Sequence, residues 1–248
     1  MRLKTLAAAI TALAIGAVAP AFAAETVKVG VTTTGVPFTF VDTSSQKPTG
    51  AMVDLAQAIG AEAGLATEFE VVAFSALIPS LTTGKIDLIS AGMLATDKRR
   101  EVVDFSAPVY TYGEAMFVPA DEPANYTLDD LKGATIGAQV GTTFADALNA
   151  RGTFGEVKLY DSIADIMRDV KLGRIKAGFG DKPIVAYQIA QNPGIGLRLV
   201  DGYQPLKAGD VALAVSKENP GLLEKVNAAI AKLKESGELA KIFAKYGL

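Results

Sequence analysis

Residues 75–90, SALIPSLTTGKIDLIS, decide the fold. Ser75 can cap a short helix that ends at Gly84, and Ile86 to Ile89 reads as the strand that follows. The same grammar returns in the second half. Leu77-Ile78-Pro79-Ser80-Leu81 leads to Gly84-Lys85-Ile86-Asp87, and Ile166-Met167-Arg168-Asp169-Val170 leads to Gly173-Arg174-Ile175-Lys176. Any helix-to-strand turn looks like this when taken alone. The matching place of the two copies within their halves points to two similar α/β lobes.

Working outward, strands and helices alternate. Val27 to Val31, Phe69 to Val72, Ala134 to Ala138, Val157 to Tyr160 and Ile175 to Phe179 read as strands. Met52 to Ala63 reads as a helix with Val53, Leu55, Ala56 and Ile59 on one face and Gly64 as its stop. Thr142 to Asn149 and Ser162 to Leu172 read as helices too. Such alternation implies parallel sheets with helices on both faces. Ala115 to Pro119 and Gly209 to Val215 are the expected crossings between lobes, and helices from Pro220 to Lys234 and Gly237 to Tyr246 return to the first lobe. The expected division is a leader at 1–23, a first lobe at 24–116 and 210–248, and a second lobe at 117–209. Two crossings make a hinge, and ligands of open α/β sheets sit at the carboxyl ends of strands, here between the lobes.

The leader follows from the first residues. Arg2 and Lys4 precede an uncharged apolar run from Thr5 to Ala19, and Pro20-Ala21-Phe22-Ala23 offers cleavage after Ala23. The run is shorter than the roughly 20 residues a spanning helix needs. The expected product is exported to the periplasm.

Composition excludes several functions. Lys and Arg total 24 against 27 acidic residues, a formal net charge of −3, and losing Arg2 and Lys4 makes the remainder more acidic. Nucleic acid is disfavoured as a partner, because it needs a basic face. The chain has no cysteine and no histidine, which removes disulfides, Ser–His and Cys–His chemistry and the commonest zinc and copper ligand. No carboxylate cluster has calcium-loop spacing. No cofactor or metal is expected.

Two charged residues stand at strand ends. The apolar stretch from Ile86 to Ser90 runs into Gly92 and then Arg99, and Ala177-Gly178-Phe179-Gly180 ends in Asp181. A guanidinium binds a carboxylate through paired hydrogen bonds, and a carboxylate accepts from an ammonium, so the pair suits a zwitterion. Each residue also has a plain reading. Arg99 could be a surface arginine between Lys98 and Arg100, Thr142 and Asp181 could be helix N-caps, and Phe74 could be core. Lys98 and Arg100 are expected to be solvated.

In order along the chain stand Val36-Pro37-Phe38, Gly50 through Asp54-Leu55-Ala56, Ala76 through Leu81, Gly84-Lys85-Ile86-Asp87, Thr96-Asp97-Lys98-Arg99, Val103-Asp104-Phe105-Ser106, Gly141-Thr142-Thr143 and Asp181. With these the chain resembles the periplasmic amino-acid-binding proteins that serve polar amino-acid ABC importers. The resemblance implies a monomeric receptor that closes on its ligand and delivers it to an inner-membrane permease. It assigns the ligand carboxylate to Arg99, Thr142 and Thr143. It assigns the ammonium to Asp181 and the Gly92 carbonyl, an aromatic contact to Phe74 and an amide in the side-chain pocket to Gln139.

The departures carry information. Leu94 stands where the family has Thr or Ser, so one acceptor for the ammonium is lost; a substituted amine would fit, unless water or a hydroxyl such as that of Thr32 serves instead. Gly35 replaces an aromatic. Receptors for basic amino acids carry acids at the positions of Thr32 and Met52, so lysine, arginine and histidine are disfavoured here. An enzyme on the same scaffold, a cyclohexadienyl dehydratase with Asp181 or Glu114 as general acid, is the alternative.

Overall fold

The computed structural model describes residues 25–248, and the expected leader lies outside them. The chain runs β1 (Thr26–Val31), β2 (Phe40–Val41), β3 (Pro48–Thr49), α1 (Ala51–Ala63), β4 (Ala66–Val71), α2 (Leu77–Thr82), β5 (Leu88–Ile89), α3 (Asp97–Arg100) and β6 (Val103–Phe105). It continues through β7 (Tyr110–Pro119), β8 (Thr135–Gln139), α4 (Thr143–Arg151), β9 (Glu156–Tyr160), α5 (Ile163–Lys171), β10 (Ala177–Asp181), α6 (Lys182–Gln191), β11 (Leu197–Leu199) and β12 (Ala208–Val211). It ends with β13 (Ala214–Ser216), α7 (Pro220–Glu235) and α8 (Glu238–Ala244).

Two sheets result. The first has the order β4-β1-β5-β13-β6, and the second β11-β7-β10-β8-β9 with β12 also on β7. β1 runs parallel to β4 and β5, and β8 runs parallel to β9 and β10. Both sheets are nevertheless mixed. β13 is antiparallel to β5 and β6, and β7 is antiparallel to β10, β11 and β12. The reversals come from strands beside the two passages of the chain between the sheets.

Those passages lie side by side. Ser106 N–H donates to Leu213 O at 2.8 Å, Leu213 N–H to Ser106 Oγ at 3.0 Å, and Val109 N–H to Val211 O at 2.8 Å. β7 begins at Tyr110, earlier than the apolar run from Ala115 suggests. Tyr110 and Tyr112 extend it because aromatic residues at alternate positions favour a pleated strand.

Packing follows the sequence pattern. α1 buries Met52, Val53, Leu55, Ala56 and Ile59, and Gly64 ends it at φ 68°. Leu55→Ala at this fully buried position would cost about 2–5 kcal/mol. α5 buries Ile163, Ile166, Met167 and Val170, and Ser162 caps it by accepting from Asp165 N–H at 3.1 Å. Ser75 does not act as a cap. It lies in a 3-10 turn, Phe74–Ala76, and α2 starts at Leu77 with no side-chain cap bond.

Candidate functional site

The carboxyl ends of β5 and β10 face the space between the sheets. Beyond β5 the chain turns at Gly92, φ 69°, where a side chain would meet the Phe38 ring at 3.3 Å. It then enters α3, whose cap Thr96 accepts from Arg99 N–H at 3.4 Å. Arg99 is buried at 8 % exposure. Its Nη1 donates to Leu94 O at 2.7 Å and its Nη2 to Gly141 O at 3.0 Å, and its guanidinium lies 5.6 Å from the Phe74 ring centre. Burial lowers the Arg99 pKa, opposed by Tyr112 and Asp181 nearby.

Asp181 ends β10 at 7 % exposure. It occupies the N-cap position of α6 but makes no side-chain cap bond, so the plain reading of this residue does not hold. Burial pushes its carboxyl up to about 6, and the Tyr112 hydroxyl and the Arg99 charge offset part of the rise. Among the described residues, the ion pairs within 4.0 Å include neither Arg99 nor Asp181.

The other expected residues divide. The Gly92 carbonyl accepts the Tyr112 hydroxyl at 2.9 Å. Leu94 is 5 % exposed and packs in the main core, with its backbone bridged to Val211. Thr142 caps α4: its hydroxyl donates to Gln139 O at 2.7 Å and accepts from Ala145 N–H at 3.3 Å. The Thr143 hydroxyl is buried with no hydrogen-bond partner among the described residues. It stands at the start of α4, where the first N–H groups lack intrahelical acceptors. The Gln139 amide donates to Asp161 O at 2.8 Å and reaches Thr34 Oγ1 at 3.4 Å. A cavity of about 610 Å³ borders Arg99, Gly141 and Thr143; Asp181 and Phe74 do not line it.

Sequence reasoning missed Tyr112, which bonds to Gly92 beside Asp181. The tyrosine alternation ahead of the apolar run of β7 was its signal. Lys98 is not simply solvated: its Nζ lies 3.1 Å from Asp146 Oδ2 on α4, although both side chains remain exposed. Glu114 is spent elsewhere. It is 2 % exposed and accepts from Leu206 N–H, Lys207 N–H (2.9 Å) and the Tyr203 hydroxyl (2.9 Å), so it is no free general acid.

Among the described residues no helix is long and apolar enough to cross a membrane, and no three His, Cys, Asp or Glu residues are grouped to hold a metal.

Comparison with known proteins gives the context. The chain is 33% identical over 243 residues to ABC transporter arginine-binding protein 1 of Escherichia coli K12, covering 98% of this chain and 97% of that protein. An ancestral arginine-binding protein solved with arginine superposes with a TM-score of 0.83 at 34% identity, over 90% of this chain and 98% of the other; an ancestral arginine-binding protein bound to glutamine gives the same TM-score and identity, over 91% of this chain and 99% of the other. An ancestral amino acid-binding protein, a precursor of cyclohexadienyl dehydratase, gives a TM-score of 0.80 at 30% identity, over 90% of this chain and 95% of the other.

These relatives overturn the expectation against a basic amino acid. That expectation rested on Thr32 and Met52. Met52 is wholly buried in the core on α1, so its side-chain type carries no information about the ligand's charge. Thr32 is buried with its hydroxyl 2.7 Å from that of Thr39. Residues 27–248 match the model of the bacterial extracellular solute-binding proteins, family 3, and the chain belongs to that family.

Proposed function

We propose that this chain is a periplasmic receptor that binds an α-amino acid between its two sheets and delivers it to an ABC import permease. One observation carries the reading. Arg99 and Asp181 are buried, opposite in charge, come from the two different sheets and have no ion partner among the described residues. Burying such charges unpaired is costly, and a zwitterion pairs both. Arg99 and the Thr143 hydroxyl take the carboxylate, with Thr142 holding α4 in place. Asp181 and Gly92 take the ammonium. Phe74 packs on the ligand, and Gln139 fixes the pocket wall.

Arginine and glutamine are the first side chains to test, since the similar proteins hold them. The first unit comprises β1 to β6 with the returning β13, α7 and α8, and the second comprises β7 to β12. Closure about the 106–109 and 212–213 passages brings Arg99 onto Gly141. Export through cleavage after Ala23 completes the reading.

A thermal-shift screen with L-arginine, L-glutamine, L-histidine and L-cystine tests it. A ligand at 100 times its Kd stabilises by about 2.7 kcal/mol, which raises Tm by roughly 5–10 °C at this size. No shift with any α-amino acid would sink the receptor reading.

The raised carboxyl of Asp181 suits a general acid, and this favours a dehydratase as the second reading. Glu114 is not available to assist. Formation of phenylpyruvate from prephenate, or phenylalanine from arogenate, would establish the enzyme; the receptor reading expects neither.

A further inference from the structure

Given the receptor reading, on which this step rests, we infer that Tyr112 is the third acceptor of the ligand ammonium and makes the site specific for primary amines. A primary ammonium has three protons, and Leu94 supplies no hydroxyl for the third. The strand register places Tyr112 beside Asp181. Glu114 of β7 pairs directly with Asp181 of β10 in antiparallel register. Tyr112 stands two residues before Glu114, on the same face of β7, and is therefore diagonal to Asp181.

The hydroxyl is oriented by the bond it already makes. Tyr112 donates its single proton to Gly92 O at 2.9 Å; Asp181 competes for that proton in the free site, and once an ammonium pairs Asp181 the proton rests on Gly92 O and the tyrosine oxygen presents its lone pairs. The Gly92 carbonyl retains a second lone pair of its own. Asp181, Gly92 O and Tyr112 Oη are then the three acceptors offered to the ammonium. Phe38 braces this cluster. Its ring lies 5.9 Å from that of Tyr112 and packs under Gly92, where only a glycine fits without crowding it. The Thr32 hydroxyl, the other substitute for the one missing at Leu94, lies 2.7 Å from that of Thr39.

An N-alkyl group in place of the third proton would set carbon against the tyrosine oxygen. The substituted amine suggested by Leu94 is therefore not what the cluster fits.

The test pairs two ligands with two proteins. Calorimetry measures L-arginine and its α-hydroxy acid, with L-glutamine and its α-hydroxy acid as a second pair, against wild type and Tyr112→Phe. The hydroxy acid keeps the carboxylate and side chain but lacks the ammonium. Tyr112→Phe is expected to weaken the amino acid at least tenfold and the hydroxy acid less than threefold, with Tm of the free protein unchanged within about 2 °C. Equal factors for both ligands, or no loss for the amino acid, overturn the inference. So does Thr32→Val if it alone produces the ammonium-specific loss. A wild type that binds no amino acid fails the receptor reading itself; a wild type that binds beside an unaffected Tyr112→Phe fails only this step.

Discussion

Arg99 donates through Nη2 to the Gly141 carbonyl, 3.0 Å away, and this bond joins the end of the first sheet's β5–α3 segment to the β8–α4 turn of the second. The same guanidinium is braced by Leu94 O and faces the Phe74 ring. One side chain thus meets backbone from both units while its charge has no carboxylate partner among the described residues. The bond to Leu94 O lies within the segment that carries Arg99 and holds the guanidinium independently of closure, which lowers the entropic cost of binding.

Arg99→Ala is expected to weaken amino-acid binding by more than 100-fold. Truncating one partner of a buried charged pair costs about 2–5 kcal/mol. Arg99→Lys should recover little, because a point charge does not reproduce the planar fork. Calorimetry on folded variants checks this. Affinity within a few-fold of wild type would remove Arg99 from the site.

Gly141 connects closure to the backbone. Its φ is 81°, and a Cβ there would lie 2.9 Å from Ser75 Cα across the cleft. Gly141→Ala should therefore resist the closed arrangement and weaken binding tenfold or more, mainly through faster release. Small-angle scattering of wild type should show a smaller radius of gyration with saturating L-arginine, or with whichever amino acid the screen finds, and Gly141→Ala should contract less. An unchanged off-rate in the variant argues against closure through this contact.

The alternation of elements was legible because glycine stops and apolar periodicity are local signals. α1 departs from the sequence reading by one residue at its start, and the helix cap at Ser162 stands where expected. Ser75 was misread because a 3-10 turn and a capped helix begin with the same residue types. The sense of β7 and β13 could not be read, since antiparallel pairing here depends on long-range returns of the chain. In the site, Arg99 and Asp181 stood out as charges ending apolar runs. Tyr112 did not, because its role depends on register with β10 and on a carbonyl twenty residues earlier. Met52 misled because the lack of an acid there, relative to receptors for basic amino acids, was taken as a property of the pocket, whereas its side chain lies in the core.

Lys98 and Asp146 also face each other across the cleft, at 3.1 Å, yet their side chains are 82% and 65% exposed. Exposed pairs of this kind contribute little and are screened by salt. Lys98→Ala should change amino-acid affinity by less than threefold. A loss near that of Arg99→Ala would show that this pair, not the buried guanidinium, holds the closed form.

Glu114 fixes the 203–207 segment to β7 through three accepted hydrogen bonds. Glu114→Ala leaves two backbone N–H groups and the Tyr203 hydroxyl without their acceptor. Each buried donor left so costs about 1–3 kcal/mol. A clear fall in the denaturant midpoint is expected, together with a lower Tm. Unchanged stability would mean that water replaces the carboxylate at no cost.

Binding should depend on pH through Asp181. Its carboxyl is raised to about 6 by burial, and an ammonium is held best by the ionised form. Amino-acid affinity should be flat above about pH 7 and fall below pH 6, approaching tenfold per unit as the bound proton must first leave. Stability of the free protein runs the other way. Between about pH 4 and 6 the folded state holds a proton on Asp181 that the unfolded chain has lost, so this group's contribution to stability decreases as pH rises through that window. A bound ammonium opposes that loss by pairing the carboxylate. Asp181→Asn should bind weakly at every pH and lose this part of the profile. Calorimetric titrations between pH 4.5 and 8 on wild type and Asp181→Asn decide the matter. A wild-type Kd that stays constant from pH 7 to 5, or a variant that keeps the wild-type slope, would assign the ammonium to another group.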